Sequence, residues 1–344
     1  MNKKCTKMEK HLDKPKISVI IPCYNSANFI QKTIESVINQ SYSNWELLCV
    51  NDMSTDNTLE ILNQYAQKDS RIKVFDKKER GGKSAPNCNY VIEKTTGDFI
   101  FLLGHDDRFS LDLMERVIKR QQETNADIII PDLCFVYPEN QCKNWMMIGI
   151  LNKWGKTNKR INRDIVLTGR QAVELSLNWR IHGFCFIRAG IIKKYKCCEK
   201  GMNGDEYSVR NFYLHANKVA FSKGTYFYYQ LGSSITKKMT PKKWDVYWTP
   251  YLLEKLLIEN NFDYDLVKNM QYTRLLLYKR LLNLYNRNKQ NFSKQDQEII
   301  ENYLEENCKL LKQCNLCVNR SYWLNMVCKL YIKIKLKFKR FKYE

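Results

Sequence analysis

Residues 17–52, ISVIIPCYNSANFIQKTIESVINQSYSNWELLCVND, decide the fold because they read as a strand, a helix and a second strand. The β-branched run at residues 17–22 predicts a buried strand, and residues 45–52 predict another. Between them, apolar residues recur at helical spacing over residues 29–38. Two strands joined in this way form a parallel unit, and sheets of such units bind ligands at the carboxyl ends of their strands.

The same alternation continues to about residue 137 and then becomes less regular. Further strands are predicted at residues 71–76, 98–104, 126–131, 181–188 and 218–230, and further helices at residues 54–68, 84–94, 111–124 and 205–215. Long helical patterns begin near residue 240. We therefore expect four segments: a basic tail at 1–15, an α/β domain at 16–236, a helical region at 237–328, and a basic and apolar tail at 329–344.

The composition is that of a folded protein with an excess of positive charge. Of the 344 residues, 44% are hydrophobic and 27% are charged, and the net charge is +21, which favours anionic partners. The sequence contains no run of about 18 apolar residues, so it predicts no membrane-spanning helix. The first residues lack the apolar segment of a signal peptide. We therefore expect a cytoplasmic protein whose thirteen cysteines are reduced. The Cys314-x-x-Cys317 spacing is weak evidence for zinc.

Three groups of acids occur at ordered intervals. Asp52 ends the second strand, Asp106 and Asp107 follow the fourth, and Asp205 and Glu206 begin a later helix. Adjacent carboxylates at the end of an apolar strand repel each other, and a cation held between them and a ligand is the simplest explanation. The alternative for the middle pair is an N-cap of the helix that follows it.

Four segments of the chain together form a recognisable pattern: residues 17–62, 97–107 (GDFIFLLGHDD), 203–210 (NGDEYSVR) and 224–236 (GTYFYYQLGSSIT). Through these segments the chain resembles the family 2 glycosyltransferases over residues 16–236. The resemblance implies an α/β fold of the GT-A type, a Rossmann-like and mostly parallel sheet flanked by helices. In this chain a C-terminal helical extension would follow.

The resemblance also implies a nucleotide-sugar site. Asp52 occupies the place of the acid that binds uracil or ribose, and Asn51 replaces the acid that usually precedes it. Pro22, Tyr24 and Asn25 match the segment that cradles the nucleoside. Core packing is the alternative for Tyr24.

A glycine-containing turn at residues 80–89 lies where the family often has a segment that ends in Ala-Arg-Asn. Asn89 matches the final asparagine, whereas Cys88 replaces the arginine. One charge that would neutralise phosphate is therefore missing, and Lys83 or Arg80 would compensate.

The family's Asp-x-Asp motif, which holds a metal ion against the donor diphosphate, is altered here. Gly104 stands where the first acid is often found, so Asp106 matches the principal metal ligand and Asp107 lies beside it. The resemblance therefore implies that these acids hold Mn²⁺ or Mg²⁺. His105 would contact a phosphate, or it would simply face solvent.

The acids at the start of the later helix match the catalytic station of inverting members of the family. A carboxylate there accepts the proton of the attacking hydroxyl. The usual order of the two acids is swapped, so either Asp205 or Glu206 is the base, and the spacing to the following strand favours Asp205. Trp179 and His182 lie where acceptor loops usually run, with packing as the alternative for Trp179.

These features predict an inverting enzyme that moves one sugar from a nucleotide donor, with UDP as the expected nucleotide, to a glycan or lipid-linked acceptor in surface polysaccharide synthesis. The motif of processive synthases, Gln-x-x-Arg-Trp, is absent. Residues 329–344 carry seven basic residues and one acid, so this tail would hold the protein at the inner face of an anionic membrane. The alternative is a solvated tail.

Two other kinds of protein compete with this prediction. An inactive sugar-binding relative is suggested by Gly104 and Cys88. A nucleic-acid-binding protein is suggested by the net charge, but half of that surplus lies in the last third of the chain, outside the predicted sheet. No nucleic-acid-binding motif is present, so we expect no nucleic-acid partner.

Overall fold

The computed structural model describes residues 14–137, 141–145, 164–230 and 239–312. Contacts divide the chain into two compact units. The first unit is formed by Met1–Lys196 and Phe212–Leu231, and the second by Cys197–Asn211 and Gly232–Glu344. The predicted tail at residues 329–344 and the Cys314-x-x-Cys317 pair lie outside the described residues.

The first unit is built on one mixed sheet, which has nine strands among the described residues. The strands are β1 (Ile17–Cys23), β2 (Trp45–Asn51), β3 (Ile72–Asp76), β4 (Phe99–Leu102), β5 (Arg108–Phe109), β6 (Ile128–Tyr137), β7 (Gln141–Trp145), β8 (Phe186–Arg188) and β9 (Val219–Tyr229). Their order is β3-β2-β1-β4-β8-β6-β9-β5, and β7 pairs with β6. The predicted α/β fold is thereby confirmed.

The sheet has a parallel half and a mixed half. The ladders β3-β2-β1-β4 are all parallel, as the strand–helix pattern predicts. Beyond them, β8 runs antiparallel to both β4 and β6, while β6 and β9 are parallel. The strand predicted at residues 181–188 is shorter than expected, because only its last three residues pair. Neither β5 nor β7 was expected.

Seven helices of the described chain connect these strands. They are α1 (Ile30–Ile38), α2 (Thr58–Lys68), α3 (Ser84–Ile92), α4 (Leu113–Thr124), α5 (Gly169–Leu177), α6 (Ala189–Tyr195) and α7 (Gly204–Leu214). Every residue of β2, and all but Pro22 of β1, is buried, as in a parallel sheet that is covered on both faces. This rigid centre fixes the positions at which β1, β2 and β4 end.

A buried carboxylate, Glu46, ties the first strands to the chain that enters β4. It accepts hydrogen bonds from the Ser18 hydroxyl at 2.7 Å and the Thr96 backbone N–H at 2.6 Å, and it pairs with Lys73 at 3.1 Å and Lys16 at 3.4 Å. Burial alone would raise the pKa of Glu46, but these donors and charges outweigh it and lower the pKa to about 2. The carboxylate is therefore ionised at any ordinary pH.

The second unit is helical in its described part. A 3₁₀ helix (Pro241–Tyr247) precedes α8 (Trp248–Glu259) and α9 (Tyr264–Asn288), and a short 3₁₀ turn (Lys289–Asn291) precedes α10 (Lys294–Lys312). Its core packs α9 and α10 around the buried indole of Trp244, whose Nε1 donates to the Leu281 carbonyl at 3.0 Å. None of the described helices is long and apolar enough to span a bilayer.

Candidate functional site

The carboxyl ends of β2 and β4 lie on either side of β1. Cys23 of β1 is level with Asn51 of β2, and Ile20 is level with Leu102 of β4. Neighbouring strands lie about 4.8 Å apart, so β2 and β4 are separated by about 10 Å. The acids that follow these two strands therefore belong to one edge of the sheet, which is where open α/β sheets bind ligands.

Asp52, at the end of β2, is buried and is held by the loop that follows β3. Its two carboxylate oxygens accept the backbone N–H groups of Gly81 at 2.5 Å and Gly82 at 2.8 Å, and Lys77 Nζ lies 3.5 Å away. Burial alone would raise the pKa of Asp52. A hydrogen bond from Asn87, the two backbone donors and the Lys77 charge outweigh that effect and lower it. Asp52 is therefore a fixed negative charge.

Lys77 and Asn87 are members of this site that the sequence did not reveal. Lys77 Nζ donates to Asn87 Oδ1 at 2.8 Å, and a Cβ at Gly81 would lie only 2.4 Å from the same oxygen. The glycine is therefore needed for the loop to approach α3. The pair of adjacent glycines was the one available signal, because nothing in the spacing connects Lys77 with Asp52.

The position of the arginine that is missing from the resemblance lies inside the fold. Cys88 is fully buried on α3, so a long cation at that position would not fit without rearrangement. Lys83 and Asn89, at the start and middle of α3, are both half-buried. Arg80, the other cation that the sequence predicts to compensate, lies on the ring of Tyr24.

Arg80 stacks on Tyr24 at the carboxyl end of β1. Its guanidinium carbon lies 4.0 Å from the centre of the Tyr24 ring, which is half-buried and thus not a core residue. A cation above an aromatic face is stabilised by the ring quadrupole. Tyr24 therefore lies at the surface of this edge, and its contact with a nucleoside stays a prediction.

Asn25 and Asn51 shape the backbone around that edge. Asn25 adopts φ of 48°, and its side-chain oxygen accepts the Thr55 N–H at 2.8 Å. Asn51 donates to Asp76 Oδ1 at 2.8 Å and so fastens the end of β2 to the end of β3. Pro22 lies half-buried within β1 itself. These three predicted binding residues lie at or near the carboxyl ends of β1 and β2, and the hydrogen bonds of Asn25 and Asn51 hold the adjoining loops in place.

Asp107, the second acid after β4, is directed into the first unit. Its Oδ2 accepts a hydrogen bond from the Tyr226 hydroxyl, and its Oδ1 accepts the Tyr229 N–H at 2.9 Å. Burial, with a smaller effect from the Asp106 charge, raises the pKa of Asp107 to about 7. The side chain thus ties the end of β4 to β9, and it is less available to a metal ion than the sequence suggested.

Asp106 is the more accessible acid of this pair. Its carboxylate is half-buried, and in the part of the chain that the structure describes it has no hydrogen bond or ion pair. A Cβ at Gly104 would lie 2.3 Å from Asp107 Oδ2, so the missing first acid of the motif leaves space for Asp107. His105, between them, is half-buried and packs near Phe29 at 6.4 Å.

The residues present fit a divalent cation that is shared with a substrate. The described residues contain no cluster of three or more acids, histidines or cysteines that would form a closed metal site. Mg²⁺ is usually held by one or two carboxylates together with substrate phosphates. A single available carboxylate, Asp106, suits that arrangement.

His182 occupies a different environment from the one expected of an acceptor ligand. It is buried, its Nε2 lies 2.9 Å from the Pro131 carbonyl, and its Nδ1 accepts the Phe184 N–H at 3.3 Å. Burial lowers the pKa of His182 to about 4. Both nitrogens are engaged inside the first unit, so we correct its assignment to a packing role.

Trp179 remains a candidate for sugar contact. Its side chain is 47% exposed, and its backbone adopts φ of 55° just after α5. A large aromatic ring that is held at the surface by a turn is unusual, and such rings supply broad apolar contact area to ligands.

The remaining acids, Asp205 and Glu206, begin α7 in the second unit. Glu206 forms an ion pair with Arg210 one turn later, and Arg210 also donates to the Glu206 carbonyl at 2.8 Å. The Asp205 carboxylate accepts backbone N–H groups of the first turn and is desolvated by its surroundings, although the residue as a whole is exposed. Desolvation raises the pKa of both groups, and the Arg210 charge opposes the shift. Glu206 is thus paired with an arginine, whereas Asp205 has no ion pair in the described part of the chain.

Comparisons with known proteins identify the family of this chain. The model of the family described as glycosyl transferase family 2 matches residues 18–195, which is just over half of the chain. Glycosyltransferase GlyA of Streptococcus pneumoniae is 26% identical over 275 residues, which are 78% of this chain and 38% of GlyA. The putative teichuronic acid biosynthesis glycosyltransferase TuaG of Bacillus subtilis is 37% identical over 113 residues, 33% of this chain and 44% of TuaG.

The chain spans less than half the length of each of these two curated relatives. Among solved structures, S. aureus TarS in complex with UDP-GlcNAc matches with a TM-score of 0.58 at 18% identity, over 86% of this chain and 81% of that one. At this identity the likeness shows the fold alone, and it is the GT-A fold that the sequence predicts. Together with the family match, it establishes that the chain is a member of glycosyl transferase family 2.

Proposed function

We propose that this chain transfers a single sugar from a nucleotide-linked donor, with UDP as the nucleotide, and that the anomeric configuration is inverted. The observation that carries the proposal is the position of Asp52 and Asp106, which follow β2 and β4 on either side of β1. One carboxylate is fixed and ionised, and the other is available. S. aureus TarS, a protein of the same fold, was crystallised with UDP and with UDP-GlcNAc, which supports a UDP-linked donor.

In this proposal the nucleoside lies against Tyr24 and Asp52. Arg80 stacks on the Tyr24 ring at 4.0 Å, so a bound base would take over that face. The displaced guanidinium, together with Lys77, would then supply positive charge beside the diphosphate. Lys83, Asn89 and His105 are further candidates for contact with the donor.

Asp106 would hold a divalent ion, Mn²⁺ or Mg²⁺, against the donor phosphates, with Asp107 as the residue that fixes the local backbone. When bound, such an ion neutralises charge that develops on the leaving diphosphate. The half-exposed Asp106 carboxylate and the buried Asp107 carboxylate therefore have different tasks.

Asp205 would act as the general base. As the acceptor oxygen forms its bond to the anomeric carbon, the bond from that carbon to the diphosphate oxygen breaks and the hydroxyl proton passes to Asp205. A carboxyl with a raised pKa is better suited to accept that proton than an ordinary one, and desolvation raises the pKa of Asp205. Glu206, held by Arg210, would position the start of α7.

The acceptor in this proposal is a glycan or lipid-linked saccharide of a surface polysaccharide, and Trp179 is the residue proposed to contact it. The similarity to TuaG, a putative teichuronic acid biosynthesis enzyme, supports this class of acceptor. We further propose a cytoplasmic protein that associates with the inner face of the membrane through residues 329–344, which lie outside the described residues.

The test is to incubate the full chain with Mn²⁺ or Mg²⁺ and a panel of nucleotide sugars, and to measure release of the free nucleotide. We expect release from one UDP-sugar, and none without the metal. Asp106→Asn serves as the matched control, since it removes one charge without changing shape. Nucleotide binding without release, with or without an acceptor glycan, would instead identify an inactive relative.

A further inference from the structure

Helix α9 of the second unit carries a face of unpaired positive charge. Lys268, Arg280 and Arg287 are exposed on this helix, and none of them forms an ion pair within the described residues. Two other cations of the same region are paired: the buried Arg274 with the buried Glu254, and the half-buried Lys289 with Glu301 at 3.1 Å. The one buried cation is thus neutralised, whereas the three exposed ones on α9 are left to solvent.

Acids are absent from this stretch of sequence. Between Asp265 and Asp296 no aspartate or glutamate occurs in thirty residues. Charged helices in solution usually intersperse both signs and gain from pairs one turn apart. A face without acids forgoes that gain, and it avoids repulsion from an anionic surface.

Two exposed apolar side chains lie among these cations. Tyr272 is 59% exposed and Leu276 is 45% exposed, one turn apart. At 100° per residue, Lys268 lies to one side of these two side chains, and Arg280 and Arg287 lie to the other. The cations span about 28 Å along the axis. An apolar ridge flanked by cations is the pattern of helices that lie in a membrane interface.

The charge of the face limits what can cover it. The tail at residues 329–344 has seven basic residues and one acid, so it would be repelled. A second copy packed through the same face would oppose like charges. An anionic partner satisfies the cations, and one with an apolar phase below its charged layer also satisfies Tyr272 and Leu276.

We propose that the exposed face of α9 binds the anionic surface of a phospholipid membrane. This proposal does not depend on the transfer reaction proposed above. Its residues are described by the structure, whereas those of the tail at residues 329–344 are not. Lys268, Arg280 and Arg287 pair with lipid phosphates, while Tyr272 and Leu276 enter the interface between headgroups and acyl chains.

The test is sedimentation of the full chain with vesicles of phosphatidylglycerol and phosphatidylcholine. Lys268→Glu, Arg280→Glu and Arg287→Glu are combined in one variant, called the α9 variant. The control combines Lys32→Glu, Lys119→Glu and Lys223→Glu, three exposed lysines of the first unit that have no ion pair among the described residues. Both variants change the net charge equally and keep the same tail.

We expect the α9 variant to need at least about ten-fold more anionic lipid for half-binding than the control, since each basic residue near such a surface contributes substantially. A second variant, Tyr272→Ser with Leu276→Ser, keeps the charges, and its binding should be lost at high salt, where charge attraction is screened. This second variant also tests the membrane proposal if circular dichroism shows that the α9 variant does not fold.

Equal vesicle binding by the α9 variant and the control would overturn the proposal. The proposal would also be overturned if the α9 variant lost binding to inorganic polyphosphate but bound vesicles as well as wild type does. That result would identify a phosphate polymer as the partner of this face. Nucleotide release in vesicle-free solution should be the same in both variants. Failure of the membrane proposal is therefore distinguishable from failure of the proposed transfer activity.

Discussion

The Tyr226 hydroxyl donates a hydrogen bond to the buried carboxylate of Asp107. This bond connects β9 to the turn that carries Asp106. Two adjacent acids at the end of an apolar strand thus have different environments. Asp107 is buried and hydrogen-bonded to β9, whereas Asp106 is half-buried and reaches solvent.

We expect Tyr226→Phe to lower the free energy of unfolding by about 1–3 kcal/mol, because a buried acceptor loses its donor. Urea unfolding measures this change. Tyr229→Phe is the matched control: it also removes one hydroxyl, but its backbone N–H still donates to Asp107. Equal losses in the two variants would contradict a special role for the Tyr226 bond.

Asp106→Ala is expected to abolish metal-dependent transfer, because Asp106 is the one available carboxylate in the described turn that follows β4. Folding should be little affected, as the side chain has no hydrogen bond to lose. Nucleotide release as a function of Mn²⁺ concentration is the measurement. A variant that kept the wild-type rate and metal response would show that Asp106 holds no metal.

Asp52→Asn is expected to weaken UDP binding, since the fixed charge of the nucleoside site is lost while the shape is kept. It should also loosen the loop that donates to Asp52 through Gly81 and Gly82. Calorimetric titration with UDP reports the affinity, and Asp76→Asn, which changes a neighbouring acid at the end of β3, is the control. Unchanged affinity in Asp52→Asn would remove Asp52 from the site.

Asp205→Asn is expected to lower the transfer rate by roughly 10²–10⁴-fold, the usual contribution of a general base. Donor binding should survive. Glu206→Gln should cost much less, because Glu206 is held by Arg210 on the same helix. Rates at saturating donor decide between the two acids. A large loss in Glu206→Gln with a small one in Asp205→Asn would reverse their roles.

Glu46 should make stability depend on pH in acid. Its folded pKa of about 2 is depressed from an ordinary value of 4.5, so the stabilisation is complete above about pH 5 and is lost as the pH falls through 2. The shift corresponds to about 3 kcal/mol. The free energies of unfolding of wild type and Glu46→Gln should converge as the pH falls from 6 to 2. The difference between wild type and the exposed control Glu60→Gln should stay constant over the same range.

The sequence predicted the parallel half of the sheet well, because β1, α1 and β2 are encoded by local periodicity in one stretch of 36 residues. The two-residue strand β5 is different: it exists because Arg108 and Phe109 pair with Phe227 and Tyr226 far along the chain. No local pattern reports such a pairing. The antiparallel neighbours of β8 were hidden for the same reason.

In the candidate site, the positions of the acids after predicted strands identified them from the sequence. The residues that surround these acids could not be identified in that way. Lys77 lies 25 residues from Asp52 in sequence and 3.5 Å from it in space. His182 was expected to meet a ligand, yet the carbonyl of Pro131 and the N–H of Phe184 occupy its ring. Residue type and spacing indicate which groups carry chemistry, whereas burial and hydrogen bonding depend on distant contacts.

The close approach of Gly104 to Asp107 couples the side chains that these two positions can carry. Any side chain at position 104 begins with a Cβ that would lie 2.3 Å from Asp107 Oδ2, and that oxygen is held in place by Tyr226. Restoring the family's first aspartate alone would therefore require the Asp107 carboxylate to move. An aspartate at position 104 would thus cost the protein the hydrogen bond between Tyr226 and Asp107 unless the residues around Asp107 changed as well.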